Sequence, residues 1–370
     1  MARPVFVELE TDTGLVGVGE VRPVNKTDSF VATVGELAGR YVIGADPFDT
    51  ERLAWAIERL EYGRPSEHGQ SALAAFDIAC FDLIGQHLGV PVWKLLGGCF
   101  RDRVPAYANG WYQVEFEPEP IAALARDVVA RGYRAMKIDP FGAASVRLSP
   151  ADRRRAVGIV AAVRDAIGPD IGLMIEMHGR FSPDTAAEVA VALEPYDPRW
   201  LEEPVPPENA TALARVRRAT NAPIATGERI HAIWDAPSFV ESGDVDIIQA
   251  DLTHFGGFTG MRRLAGLTEA HYLTLAPHNV GGPVATMANV HLAAATRNVD
   301  IVEHFNDFAD PWVAELVDAP PAVDPVDGCF GLPDRPGLGV RLDHDACARH
   351  PRTAARLQLF VEGWQKRDGG

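Results

Sequence analysis

Three glutamates recur at intervals of 26 residues: Glu176, Glu202 and Glu228. Each closes a short apolar segment, Gly172-Leu-Met-Ile-Glu176, Arg199-Trp-Leu-Glu202 and Pro223-Ile-Ala-Thr-Gly-Glu228. That interval accommodates one β-strand, one helix and their loops. In a (β/α)8 barrel the C-terminal ends of successive strands face a single mouth. Carboxylates placed there converge, and their mutual repulsion calls for a hard divalent cation. The spacing therefore predicts a metal site at the mouth of a barrel.

The rest of the chain bounds what that site can serve. At 370 residues, 47% of them apolar, there is enough chain for a barrel plus a smaller unit. The formal charge of −16, with no Lys/Arg block, argues against a nucleic-acid partner. An anionic small molecule would need a bound cation to attract it locally. Cys80, Cys99, Cys329 and Cys347 form no CxxC pair and read as thiols of a reducing cytosol. No signal peptide and no apolar run of membrane-spanning length is found. The expectation is a soluble cytoplasmic protein with no membrane partner.

Val5-Phe-Val-Glu-Leu-Glu10, the turn Thr11-Asp-Thr-Gly14 and Leu15-Val-Gly-Val-Gly19 read as a hairpin. Helical segments follow, the longest starting at Ser66 as N-cap and stopping at Leu88 before Gly89 and Pro91. From Arg101 strands and helices alternate, the mark of a parallel α/β architecture. Eight strands are predicted: Val104–Ala108, Ala135–Ile138, Gly172–Glu176, Trp200–Glu202, Ile224–Thr226, Ile247–Gln249, Leu273–Ala276 and Ile301–Glu303. No GxGxxG follows the first of them, which weighs against a dinucleotide fold. The predicted organisation is an α+β capping domain over 1–100, a (β/α)8 barrel over 101–319 and a C-terminal segment, 320–370, returning to the cap. Gly337-Leu-Gly-Val340 reads as its return strand.

Nearly every predicted strand end carries a polar residue. Lys137 and Asp139 end the second strand, Glu176 and His178 the third, Glu202 the fourth and Glu228 the fifth. Asp251, His278 and Glu303 end the sixth, seventh and eighth. With Leu201-Glu-Glu-Pro204, Ala276-Pro-His278 and Pro91-Val-Trp-Lys-Leu-Leu-Gly-Gly98, this set resembles the enolase superfamily, in its mandelate racemase-like branch. The resemblance spans nearly the whole chain. It implies a modified, enolase-type barrel under an α+β cap, with Mg2+ on Glu176, Glu202 and Glu228 binding a substrate carboxylate. A base then removes the α proton to give an enediolate. It further implies His278 as that base, paired with Asp251, and Glu303 as a hydrogen-bond donor to the enediolate. The family also has a strand and a substrate-covering loop ahead of the Val5–Glu10 segment. Only four residues precede it here, so either the true start lies upstream or the cap lacks part of that lid.

His178 bears on which reaction follows. Two positions after Glu176, it shares that strand's face and would stand beside the metal. In the acid-sugar dehydratases of this family, galactonate dehydratase among them, a histidine here protonates the departing 3-hydroxyl. Racemases and epimerases commonly end the second strand Lys-x-Lys; here Asp139 takes the second position, leaving Lys137, which could hold the substrate carboxylate. The expectation is an Mg2+-dependent hydro-lyase that converts an aldonic or aldaric acid to a 2-keto-3-deoxy acid, assembled as a homo-oligomer. Racemisation, epimerisation or cycloisomerisation of a carboxylate, and an enolase-like protein of impaired activity, are the alternatives. His68, His87, His254 and His304 read as structural, Trp111 and Tyr112 as sugar-stacking or packing residues, and Arg229 as an ion-pair partner.

Overall fold

The computed structural model describes residues 4–351 and 357–366. Strands β1 (Val5–Glu10) and β2 (Val16–Val21) form the predicted antiparallel hairpin, running from Val5 opposite Val21 to Glu10 opposite Val16. Behind it lies the helix Glu67–Leu88. Ser66 accepts the Gly69 N–H at its start, and Gly89 ends it in the left-handed conformation. A Cβ on Gly19 would fall 2.0 Å from the Ala75 carbonyl oxygen, so glycine is what lets strand and helix backbones touch. Helices Thr27–Leu37 and Thr50–Trp55 complete this unit around Val21, Phe30, Ile57 and Phe76.

The parallel sheet follows: β3 (Arg103–Ala108), β4 (Ala135–Ile138), β5 (Gly172–Glu176), β6 (Trp200–Glu202), β7 (Ile224–Thr226), β8 (Ile247–Ile248), β9 (Thr274–Leu275) and β10 (Val302–His304). These pair in the order β10-β3-β4-β5-β6-β7-β8-β9. The sheet curls until the residues entering β10 reach β9 at one parallel bridge, Leu275 with Val299. The flanking bonds are Leu275 N–H to Asn298 O at 2.8 Å and Asp300 N–H to Leu275 O at 2.7 Å. β9 and β10 share no ladder of their own, so the two ends of the sheet meet at a bridge and not along a full strand.

Inside the curl, one residue in or directly beside each strand joins a single buried layer: Tyr107, Ala135, Met174, Trp200, Ala225, Ile247, Ala276 and Ile301. Large and small side chains alternate unevenly, and Tyr107 meets Trp200 edge to face at 5.5 Å. Because side chains repeat with period two, the next inward position on each strand lies one layer nearer the mouth. Those positions are Asn109, Lys137, Glu176, Glu202, Gly227, Gln249, His278 and Glu303. The apolar layer is the floor of the site.

Three buried carboxylates tie the N-terminal unit to the rest of the chain, two of them to helices beside the curled sheet and one to the C-terminal segment. Glu20 accepts N–H groups of Gly282, Val284 and Ala285 at the start of the helix Pro283–Ala295. Asp77 accepts Thr259 N–H at 3.1 Å and Thr259 Oγ1–H at 2.5 Å in the helix Gly257–Ala270. Asp82 accepts Val18 N–H at 3.0 Å and Leu338 N–H at 2.8 Å. Anions suit helix N-termini, where backbone N–H groups lack partners. Burial nevertheless pushes Glu20 and Asp77 up to about 7 and Asp82 to about 6, against the pull of those N–H groups.

The C-terminal segment touches both units. β11 (Cys329–Gly331) runs antiparallel to β3. The expected strand at Gly337–Val340 is one bridge long, Gly337 with Pro91. Further on, Leu357 exchanges hydrogen bonds with Asn25 in the cap, and Trp364 Nε1–H donates to Gly142 O beside β4 at 3.0 Å. Within 320–370, residues 352–356 and 367–370 lie outside the described residues.

Candidate active site

The ladder places Glu176 directly opposite Glu202. Glu228 arrives differently: Gly227 interrupts the period-two pattern at φ 139°, where a Cβ would lie 2.7 Å from Gln249 N. That turn carries Glu228 to its neighbours, and one carboxylate oxygen from each of the three lies within 4.8 Å of the others. Glu203, the alternative to Glu202, points away from this register and pairs with Arg229 at 3.1 Å.

Lys137 stands among the carboxylates, fully buried. Its Nζ is 2.6 Å from Glu202 Oε1, 3.2 Å from Glu176 Oε2 and 3.1 Å from Glu303 Oε1. It does not pair with Asp139, its neighbour along the strand. One lysine and one half-buried arginine, Arg229, face five carboxylates: Glu176, Glu202, Glu203, Glu228 and Glu303. Burial, then the charge on Glu176, pushes Glu202 up to about 7 despite Lys137. Burial and Glu228 push Glu203 well above the carboxylate range. Glu176 Oε2 is buried without a hydrogen bond. An all-oxygen donor set with surplus negative charge fits a hard divalent cation such as Mg2+.

A histidine stands at each end of the triad. His278 Nδ1 is 2.8 Å from Asp251 Oδ2, and its Nε2 is 3.4 Å from Glu228 Oε2. Burial alone would lower His278; Glu228 and Asp251 together raise it to about 10. Burial opposes Glu228's ionisation, yet His278 and Arg229 hold it down at about 2. Asp251 is further fixed by Thr253 N–H at 2.8 Å and Thr253 Oγ1–H at 2.7 Å. At the other end, His178 N–H donates to Glu176 Oε1 at 2.6 Å, and its Nδ1 lies 2.5 Å from Asp139 Oδ2.

Both Glu303 oxygens face N–H donors: Asn109 Nδ2 at 2.6 Å, Asn279 N at 2.8 Å and Lys137. The cap side is lined by His254, whose Nδ1 is 2.6 Å from Ser71 Oγ, and by His231 nearby. Trp111 is buried, with its Nε1–H on Lys137 O at 2.8 Å, and stacks edge to face with Tyr112.

A sequence model of the mandelate racemase/muconate lactonizing enzyme N-terminal domain matches residues 1–97, and one described as enolase C-terminal domain-like matches 120–346. The chain belongs to the mandelate racemase/muconate lactonizing enzyme family. This family member is 37% identical to D-gluconate dehydratase of Thermoproteus tenax, over 97% of the chain and 72% of the relative. It is 34% identical to D-galactonate dehydratase of Klebsiella pneumoniae, over 99% and 95%. Among solved structures it superposes on a mandelate racemase/muconate lactonizing enzyme from Jannaschia sp. CCS1 with TM-score 0.88 and 34% identity, covering 95% and 93% of the two chains. One from Sulfitobacter sp. gives 0.89 and 31%, covering 96% and 92%. The named relatives are dehydratases, which are hydro-lyases.

Sequence reasoning missed three polar residues of this family member's site and one pairing. Asn109 and Gln249 occupy the same inward positions as the glutamates, and Gln249 Nε2–H donates to Glu202 Oε2 at 2.8 Å. The period-two pattern marked both. Arg180 and the pairing of Asp139 with His178 depend on contacts between separate strand ends and carry no sequence spacing of their own.

Proposed function

We propose that this chain is a divalent-metal-dependent dehydratase acting on an aldonic acid, with the curled sheet working as a closed enolase-type barrel. The observation that carries the reading is the triad flanked by two histidines, His278 with its Nε2 at Glu228 and His178 with its backbone N–H on Glu176. One nitrogen base and one nitrogen acid on either flank of a metal site suit elimination of water across two adjacent carbons. The names of the dehydratase relatives support the same reading.

Glu176, Glu202 and Glu228 would hold Mg2+, which supplies positive charge where the substrate's carboxylate gains electron density. With the Glu228 charge that raises His278 offset by a cation on the triad, His278 Nε2 would take the proton α to the carboxylate, while Asp251 holds Nδ1 and stabilises the imidazolium that results. Lys137 and Glu303 lie where the carboxylate oxygens would gather charge; Lys137 offsets it and Asn109 and Asn279 fix Glu303. His178 Nε2 delivers a proton to the 3-hydroxyl as the C3–O bond breaks. Water leaves, and the enol formed across C2 and C3 tautomerises to the 2-keto-3-deoxy acid. Asp139, in place of a lysine, leaves no second base at the end of β4 for racemisation.

The test is a screen of D-gluconate, D-galactonate and D-xylonate with Mg2+, read as 2-keto acid. His278→Asn should lower turnover about 100-fold or more. Full turnover by that variant, or C2 epimer without keto acid from the wild type, would overturn the reading.

A further inference from the structure

Asp139 has no place in the steps above, yet it is fully buried and held with care. Its Oδ2 meets His178 Nδ1 and the Arg180 guanidinium, and its Oδ1 accepts Phe141 N–H at 3.0 Å. A buried carboxylate is costly unless it is paired and hydrogen-bonded. Burial would raise Asp139; Arg180, then His178, bring it below the ordinary range, so it stays anionic. Arg180 is committed to that task. It also donates to Met177 O at 3.1 Å and Gly142 O at 2.9 Å, and Phe360 lies 4.4 Å from its guanidinium.

His178 is restrained on every other side. Its N–H is held by Glu176, its carbonyl accepts Arg229 Nη2–H at 2.6 Å, and its ring stands edge-on to Trp364 at 5.5 Å. Its φ of +48° is a left-handed conformation that a non-glycine residue adopts at a cost, here met by those contacts. Only Nε2 is left without a partner in this set. The arrangement repeats that of His278, whose Nδ1 is likewise taken by a buried aspartate.

We propose that Asp139 is a positioning residue for His178: its carboxylate, fixed by Arg180, accepts the Nδ1–H and turns Nε2 toward the departing hydroxyl. This rests on the dehydratase reading. The Nε2 proton passes to the 3-hydroxyl oxygen, the C3–O bond breaks with its electron pair on that oxygen, and His178 is left neutral with Nδ1–H still on Asp139.

The experiment compares Asp139→Asn with wild type in D2O and Mg2+, using whichever of D-gluconate, D-galactonate and D-xylonate turns over fastest. Dehydration should fall about 100-fold, with deuterium exchange at C2 falling at least about tenfold less. Equal loss of both, or unchanged dehydration, would overturn the proposal. A second reading needs no turnover: in the metal-free protein a downfield His178 Nδ1–H proton resonance should be present in wild type and lost in Asp139→Asn. Its persistence would sink the proposal whatever the substrate. If the single variant misfolds, Asp139→Ala with Arg180→Met removes both buried charges and gives the same two readings. His178→Asn separates the readings, since dehydration surviving there refutes the acid role of His178 while the resonance still decides Asp139.

Discussion

Lys137 carries more of the site than any other single side chain. Three carboxylates surround its ammonium group, and it is fully buried with them. Removing one partner of a buried charge cluster is worse than never building it, because the others stay desolvated and now repel. Lys137→Met should therefore destabilise the metal-free protein by about 3–5 kcal/mol. Mg2+ should restore part of that loss, since a cation can take the place of the missing charge. Chemical denaturation with and without Mg2+ checks this, and an unaltered midpoint in the metal-free variant would contradict it.

Among the elements, β7 decides the geometry of the triad. β5 and β6 bring Glu176 and Glu202 into register by pairing alone, whereas Glu228 depends on the turn at Gly227. Gly227→Ala would put a methyl against the Gln249 backbone at a φ that side chains avoid. The expected cost is about 1–3 kcal/mol, with Mg2+ affinity falling further than stability because Glu228 is displaced. Calorimetric titration beside a thermal melt separates the two. A variant that melts early yet binds Mg2+ normally would show that Glu228 does not need this turn.

Across the whole molecule, Glu20 and Asp77 join the N-terminal unit to helices beside the curled sheet, and Asp82 joins it to the C-terminal segment, through buried carboxylates whose folded values lie above their ordinary ones. A raised acid binds its proton more tightly when folded, so its contribution is fully present below about pH 4 and is lost as pH rises through about 6 to 7. These three groups should make the fold less stable at pH 8 than at pH 5. A tenfold change in proton affinity between the folded and unfolded chain corresponds to about 1.4 kcal/mol, so Asp77→Asn should flatten the profile by a few kcal/mol at most. Unfolding midpoints across pH 5–8 test it; parallel profiles for wild type and variant would remove Asp77 as a source.

The sequence alone determined the strands, because each strand end carries its own local signal: a short apolar run, a period of two and a polar terminus. The predicted limits of Ala135–Ile138, Gly172–Glu176, Trp200–Glu202 and Ile224–Thr226 are those of the structure. The strands beginning near Val104 and at Ile247 differ by one residue at one end. The 26-residue interval likewise picked out Glu176, Glu202 and Glu228, whose carboxylate oxygens the structure brings within 4.8 Å of one another. What lies across the mouth was not legible there. Lys137 sharing its charge among Glu176, Glu202 and Glu303, Arg180 holding Asp139, and Trp364 reaching His178 join residues up to 186 positions apart. Their partners are set by how far the sheet curls and where the loops return, which is a property of the packed molecule and not of any segment. Charge compensation in a buried site acts through space over a few ångströms, so only the tertiary structure could decide it.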